Sequence, residues 1–164
     1  MPNRESADIT RSRYRPPGVH RHNDSYRLAA MAPAARSDTV VRVRFRCLVV
    51  DDNQRFLDVA RRSLGRQGVE AVDVATDSES ALRAVALGHP DVVLVDVSLG
   101  AESGFGLLGL LVDRYPYLRG HVIMISTRDA EDYVELLENA PAAGFVGKSE
   151  LSVTAIRNLV PDLV

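Results

Sequence analysis

From Phe45 onward the chain alternates short apolar, β-branched runs with stretches of helical period, and this alternation limits the possible folds more than any other feature. The runs are Cys47 to Val50, Val69 to Ala75, Val92 to Val97, His121 to Ile125 and Gly144 to Val146. Five strands alternating with five helices are predicted. The first helix carries Phe56, Leu57, Ala60 and Leu64 on one stripe and stops near Gly68. Thr76-Asp77-Ser78-Glu79 has capping-box spacing ahead of the second, which Gly88 and Pro90 end. The third runs from Gly104 to about Arg114, the fourth from Asp129 to about Asn139, and the last from about Ser152 to Val160. Strands 1 and 3 are continuously apolar, as expected when helices cover both faces of a sheet. The expectation is a doubly wound, parallel α/β fold, 45–164.

The first 44 residues read differently. Pro2, Pro16, Pro17 and Pro33 are scattered among Arg and Ser with no sustained apolar period, which predicts a disordered extension. The formal net charge of -2 conceals a split: residues 1–46 hold ten Arg against four acidic groups, and residues 47–164 hold ten basic against eighteen acidic groups. An N-terminal stretch of this kind is either a disordered extension, or even the product of an upstream start with Met31 or a valine near position 40 as the true beginning, or else a basic arm for nucleic acid or an acidic partner. Dispersed arginines with only Tyr14 and Tyr26 as stacking material favour the first. The single Cys47, set in an apolar run, cannot form an internal disulfide, and a reduced, cytoplasmic compartment is expected. The longest apolar stretch, Gly104 to Val112, is far short of the roughly 20 residues of a membrane span. No apolar segment of signal-peptide type follows the N-terminal arginines.

Chemistry in doubly wound folds gathers at the carboxyl ends of the strands. Here strand 1 exits into Asp51-Asp52, strand 3 into Asp96, strand 4 into Ser126-Thr127, and strand 5 into Lys148, the only lysine in the chain. Each has an ordinary explanation alone, as a turn, a cap or a solvated side chain. Together they are harder to dismiss. Clustered carboxylates need a cation, and an all-oxygen site open to water suits Mg²⁺. An ammonium and a hydroxyl opposite it suit a phosphoryl group. One carboxylate is then free to attack phosphorus and form an aspartyl phosphate.

In these residues and their spacing the chain resembles the receiver domain of two-component response regulators. The acidic pair lies 45 and 44 residues before Asp96, Ser126 lies 30 after it and Lys148 lies 52 after it. Gly104 also falls where the family commonly has glycine. The resemblance implies a flavodoxin-like sheet of order 2-1-3-4-5, with Asp96 phosphorylated by a sensor histidine kinase or by acetyl phosphate. It implies Mg²⁺ held by Asp52, Asp96 and the backbone carbonyl of Ser98, with Asp51 acting largely through water. Lys148 and Ser126 would each bind a phosphoryl oxygen, and Phe145 would be the switch aromatic, lacking the hydroxyl of a tyrosine. Ser98 and Arg128 would set the phosphoryl lifetime.

Departures from the pattern refine the expectation. Ser149 stands where a cis-proline is common, and Lys148-Ser149 is similar to receivers of the LuxR/NarL-type subfamily. Gly100 replaces a common proline and should loosen its loop. That subfamily normally continues into a DNA-binding helix-turn-helix domain. The chain stops at Val164, so a stand-alone receiver without direct DNA binding is expected. Its output would be protein contact through the face of helix 4, strand 5 and helix 5, near Tyr133, Leu136, Phe145 and Leu151; homodimers through that face are common in the family.

Three other readings compete. A degenerate receiver would be a constitutive binding module. Ala142 to Ser149 fits a loosened phosphate-loop pattern of nucleotide triphosphatases, although only 15 residues follow Ser149. A phosphatase with an aspartyl nucleophile would need a D-x-D spacing that Asp51-Asp52 lacks. If the first 44 residues are an extension, deleting residues 1–40 is expected to leave phosphorylation by a small phosphodonor unchanged in a gel-shift assay; loss of phosphorylation would make them part of the domain.

Overall fold

The computed structural model describes residues 42–164, so the readings of the N-terminal stretch lie outside the described residues but for its last three positions. Five strands form one sheet: β1 (Val43–Val50), β2 (Val69–Ala75), β3 (Val92–Asp96), β4 (Val122–Ser126) and β5 (Gly144–Gly147). Five α-helices alternate with them: α1 (Gln54–Arg66), α2 (Ser78–Gly88), α3 (Gly104–Arg114), α4 (Val134–Glu138) and α5 (Val153–Leu159). All ladders of this sheet are parallel and its order is β2-β1-β3-β4-β5, as the resemblance implied. β1 starts two residues before the expected boundary at 45, because the Val43 amide donates to Gly68 O at 2.8 Å and Val43 pairs with Val69.

Each strand of the sheet interior serves two cores. From β1, Phe45, Cys47 and Val49 pack with Leu57, Ala60 and Leu64 of α1 and Ile156 of α5. The alternate residues Leu48 and Val50 pack with Ala81 and Val85 of α2 and with Leu107, Leu108 and Leu111 of α3. Every residue of β3 and β4 is buried, which explains their unbroken apolar runs. Burial also pushes the Cys47 thiol up from its ordinary value, so it is a packing group rather than a nucleophile.

Three local expectations are corrected. The α2 cap is shifted by one residue: Asp77 is the N-cap, its carboxylate accepting from the Ser80 amide at 2.7 Å while the Ser80 hydroxyl returns the bond. A carboxylate outcompetes the Thr76 hydroxyl as acceptor there. The Gly100 loop is ordered into a small antiparallel ladder, Ser98 opposite Ser103 and Leu99 opposite Glu102. Gly100 takes φ 63° in the turn, which a proline cannot do, and Leu99 anchors the ladder in the core. The fourth helix is broken: a 3-10 turn, Ala130–Tyr133, precedes a five-residue α4, and Tyr133 itself leaves helical geometry at φ -126°, ψ 14°. Its side chain turns inward, as described below.

Gly104 couples the start of α3 to β3. Its amide donates to Val97 O at 2.9 Å, and a Cβ at this position would lie 1.9 Å from Asp96 O. No side-chain rotation relieves a clash with backbone. Gly104→Ala is therefore expected to destabilise the domain by about 3 kcal/mol, seen as a fall in Tm of about 10 °C, and to shift the Asp96 amide resonance. An unchanged Tm would show that α3 can move away from β3 at little cost.

Candidate functional site

The strand ends bring the acidic residues to one rim. At the end of β1 the Asp51 amide is still in the sheet, donating to Ala75 O at 3.0 Å, and the Asn53 amide donates to Asp51 Oδ1 at 2.9 Å. The Asn53 side chain in turn caps α1 by accepting from the Arg55 and Phe56 amides at 3.0 and 3.2 Å. This turn buries Asp51 completely and leaves Asp52 exposed. One strand over, Asp96 is the last residue of β3, buried, with Oδ1 accepting from the Ser98 amide at 3.4 Å. One carboxylate oxygen from each of Asp51, Asp52 and Asp96 lies within 4.8 Å of the others.

Lys148, the first residue after β5, reaches across to this cluster. Its Nζ donates to Asp96 Oδ2 at 3.2 Å and lies 2.5 Å from Asp51 Oδ2, with the Phe56 ring centroid 4.7 Å away. Asp51, with no exposure of its own, is thus paired directly with the ammonium. Three converging carboxylates beside a single ammonium fit a hard divalent cation that takes oxygen ligands. Burial, aided by the Asp51 charge, raises the Asp96 carboxyl above its ordinary value, although Lys148 pulls the other way. Burial alone would lower the Lys148 ammonium, but its contacts with Asp51 and Asp96 hold it above the usual lysine value.

A cleft of about 340 Å³ opens beside Asp96, lined by Ser98, Ser126, Thr127, Arg128, Tyr133 and Lys148 among others. Ser126, buried at the end of β4, has its Oγ within 3.0 Å of the donating Arg128 amide and 3.3 Å of the Tyr133 hydroxyl. Asp51, Asp52, Asp96, Ser126 and Lys148 thus converge as predicted, while Ser98 and Arg128 stand exposed at the rim. Phe145, half-buried on β5, does not line the cleft and meets it through Tyr133, whose ring centroid is 6.1 Å away. The phosphate-loop reading fails: Gly144–Gly147 is a strand paired with Ile123–Ser126, and Lys148 is committed to carboxylates. Two contacts had no sequence signal that distinguished them from core packing. Phe56 belonged to the apolar stripe of α1, and Tyr133 was legible only as an aromatic near the output face.

The profile of the response regulator receiver domain matches residues 47–160. The chain belongs to that family. Among curated relatives, the transcriptional regulatory protein KdpE of Mycobacterium tuberculosis is 37% identical over 102 residues, covering 62% of this chain and 43% of the relative. The transcriptional regulatory protein DegU of Brevibacillus brevis is 29% identical over 106 residues, covering 64% of this chain and 44% of the relative. The receiver thus spans less than half the length of either. Among solved structures, a CheY-like receiver domain protein from Methanospirillum hungatei superposes with a TM-score of 0.61 at 22% identity, over 73% of this chain and 93% of that one. A response regulator from Burkholderia pseudomallei, solved with a phosphorylated aspartic acid and a calcium ion, gives 0.57 at 25% identity, over 73% and 66%.

The ion pairs make a pH-dependent prediction for the metal-free receiver. Removing the ammonium in Lys148→Met leaves Asp51 and Asp96 buried without a counter-charge, which is expected to cost about 3 kcal/mol at neutral pH. The Asp96 carboxyl, already raised, rises further. The penalty is then complete above that raised folded value and vanishes as pH falls toward the ordinary carboxylate range, where the folded state binds the proton first. Urea unfolding across this range is expected to show the deficit of the variant narrowing with acid; a pH-independent deficit would mean that the lysine stem, not its charge, is what matters.

Proposed function

We propose that this receiver takes a phosphoryl group onto Asp96 from the phosphohistidine of a sensor histidine kinase, or from acetyl phosphate. The observation that carries the reading is the buried Asp96 carboxylate sharing one ammonium with Asp51 beside an open cleft. An Asp96 oxygen attacks phosphorus, the phosphorus–nitrogen bond of the donor breaks with its electron pair leaving on the imidazole, and an acyl phosphate remains. Lys148 follows the incoming charge from carboxylate to phosphoryl oxygen. Ser126 donates to a second phosphoryl oxygen, drawing in the segment after β4. Asp52, Asp96 and the Ser98 carbonyl would hold Mg²⁺, with Asp51 acting through water, and the ion would neutralise charge on the phosphoryl oxygens. Ser98 and Arg128, on the rim of the cleft, set the access of water and so the phosphoryl lifetime.

The resulting change is read by a protein partner on the α4, β5 and α5 face, where Leu136 is exposed and Leu151 half-buried. Phe145 on β5 responds by packing. The Lys148-Ser149 pair favours a receiver of the LuxR/NarL-type subfamily, and the lone buried Cys47 favours a reduced, cytoplasmic setting. No helix among the described residues is long and apolar enough to cross a membrane. A homodimer through the same face is a compatible output.

Incubation with acetyl phosphate and Mg²⁺, followed by phosphate-affinity electrophoresis, is expected to give a shifted band for wild type and none for Asp96→Asn. Mg²⁺ at ten times its Kd is expected to stabilise the unphosphorylated wild type by about 1.4 kcal/mol, a rise in Tm of about 5 °C, with a much smaller rise for Asp96→Asn. No shifted band with any donor, candidate kinases included, would leave a constitutive binding module as the function.

A further inference from the structure

Tyr133 stands out among residues that the phosphoacceptor reading does not use. From Thr127 to Leu136 it is the one residue that is not exposed. Its ring lies between Phe105 of α3, at 6.5 Å between centroids, and Phe145 of β5, at 6.1 Å. Both rings are tilted against it, an arrangement that fixes the plane of the phenol. The hydroxyl is thereby aimed at Ser126 Oγ, 3.3 Å away. The backbone shows the cost of that orientation, since the predicted helix is interrupted at Tyr133 and α4 begins without a side-chain cap.

A serine hydroxyl has one hydrogen and two acceptor positions. In Ser126 one acceptor position is taken by the Arg128 amide at 3.0 Å, and a further position is shared with Tyr133. An Oγ that turns toward a phosphoryl oxygen on Asp96 must give up partners on the opposite side. We propose that the Tyr133 hydroxyl is the resting-state latch of this receiver, a positioning residue that holds Ser126 and competes with the phosphoryl group for it. The proposal rests on the reading of Asp96 as phosphoacceptor. When the bond breaks, residues 127–136 lose the one side chain that anchors them to Phe105 and Phe145, and that release carries the signal to α4. Phe145 cannot play this part, having no hydroxyl, and is the wall against which the latch rests.

A bond made only in the resting form opposes the phosphoryl form by its own free energy. Tyr133→Phe keeps the ring between its two neighbours and removes only the bond. The test is titration of the full chain with beryllofluoride in Mg²⁺, a non-covalent stand-in for the phosphoryl group, followed by amide resonances. Tyr133→Phe is expected to bind about 3- to 10-fold more tightly than wild type, the factor corresponding to one net hydrogen bond. In a Ser126→Ala background the same substitution is expected to change nothing, because the latch has no partner to hold. Unchanged or weaker binding by Tyr133→Phe alone would overturn the latch, weaker binding meaning that the phenol assists the phosphoryl form. An equal gain in the Ser126→Ala background would also overturn it, as an effect of ring packing. Failure of wild type to bind beryllofluoride would overturn the phosphoacceptor reading itself, and the latch with it.

Discussion

Carboxylates about 5 Å apart at the edge of a protein repel one another by on the order of 3 kcal/mol at an effective dielectric of about 20. Asp51, Asp52 and Asp96 are held at such separations, with Asp51 fully buried, and only a fold that forces them together would keep them there. The sheet supplies the force. β1 and β3 are adjacent parallel strands with cores on both faces, so their last residues emerge side by side whatever charge they bear. The crowding is stored in the apolar packing beneath it. Lys148 neutralises one of the three charges, and the remainder makes the site capable of holding a divalent cation.

Much of this was readable in the chain because two independent periodicities agree. Short apolar, β-branched runs mark the strands, helical stripes mark what covers them, and the residue at each strand's end is then placed on the rim by topology alone. Asp51, Asp96, Ser126 and Lys148 needed no side-chain detail to be brought together. Gly104 was legible as a position and not as a reason: its need for no Cβ comes from the Asp96 carbonyl, eight residues away in sequence and in contact across the turn.

What escaped the sequence lies where local propensity loses to a tertiary contact. The segment 129–139 has helical composition, yet Tyr133 leaves helical geometry to bring its ring between Phe105 and Phe145. Neither neighbour is close to it in the chain, so no window of sequence could show the break. The α2 cap slipped by one residue for a smaller reason of the same kind, a choice between Thr76 and Asp77 that acceptor strength decides. Gly100 misled in the opposite direction: loss of a proline suggested looseness, but the positive φ it permits closes a ladder that orders the loop.

Lys148 is the single lysine among twenty basic residues, and its surroundings explain why arginine does not serve there. The ammonium meets Asp51, Asp96 and the Phe56 ring together within 4.7 Å, a crowding that suits a compact point charge. A guanidinium presents its donors in one plane and would satisfy one carboxylate well at the expense of the other. It is also larger, and the side chain is already almost wholly enclosed. A lysine can swing the same charge from Asp96 to a group attached to Asp96 by small rotations of its stem. The charge split along the chain thus acquires a local meaning in part of its acidic half, where three of the eighteen acidic groups of residues 47–164 converge within reach of one ammonium.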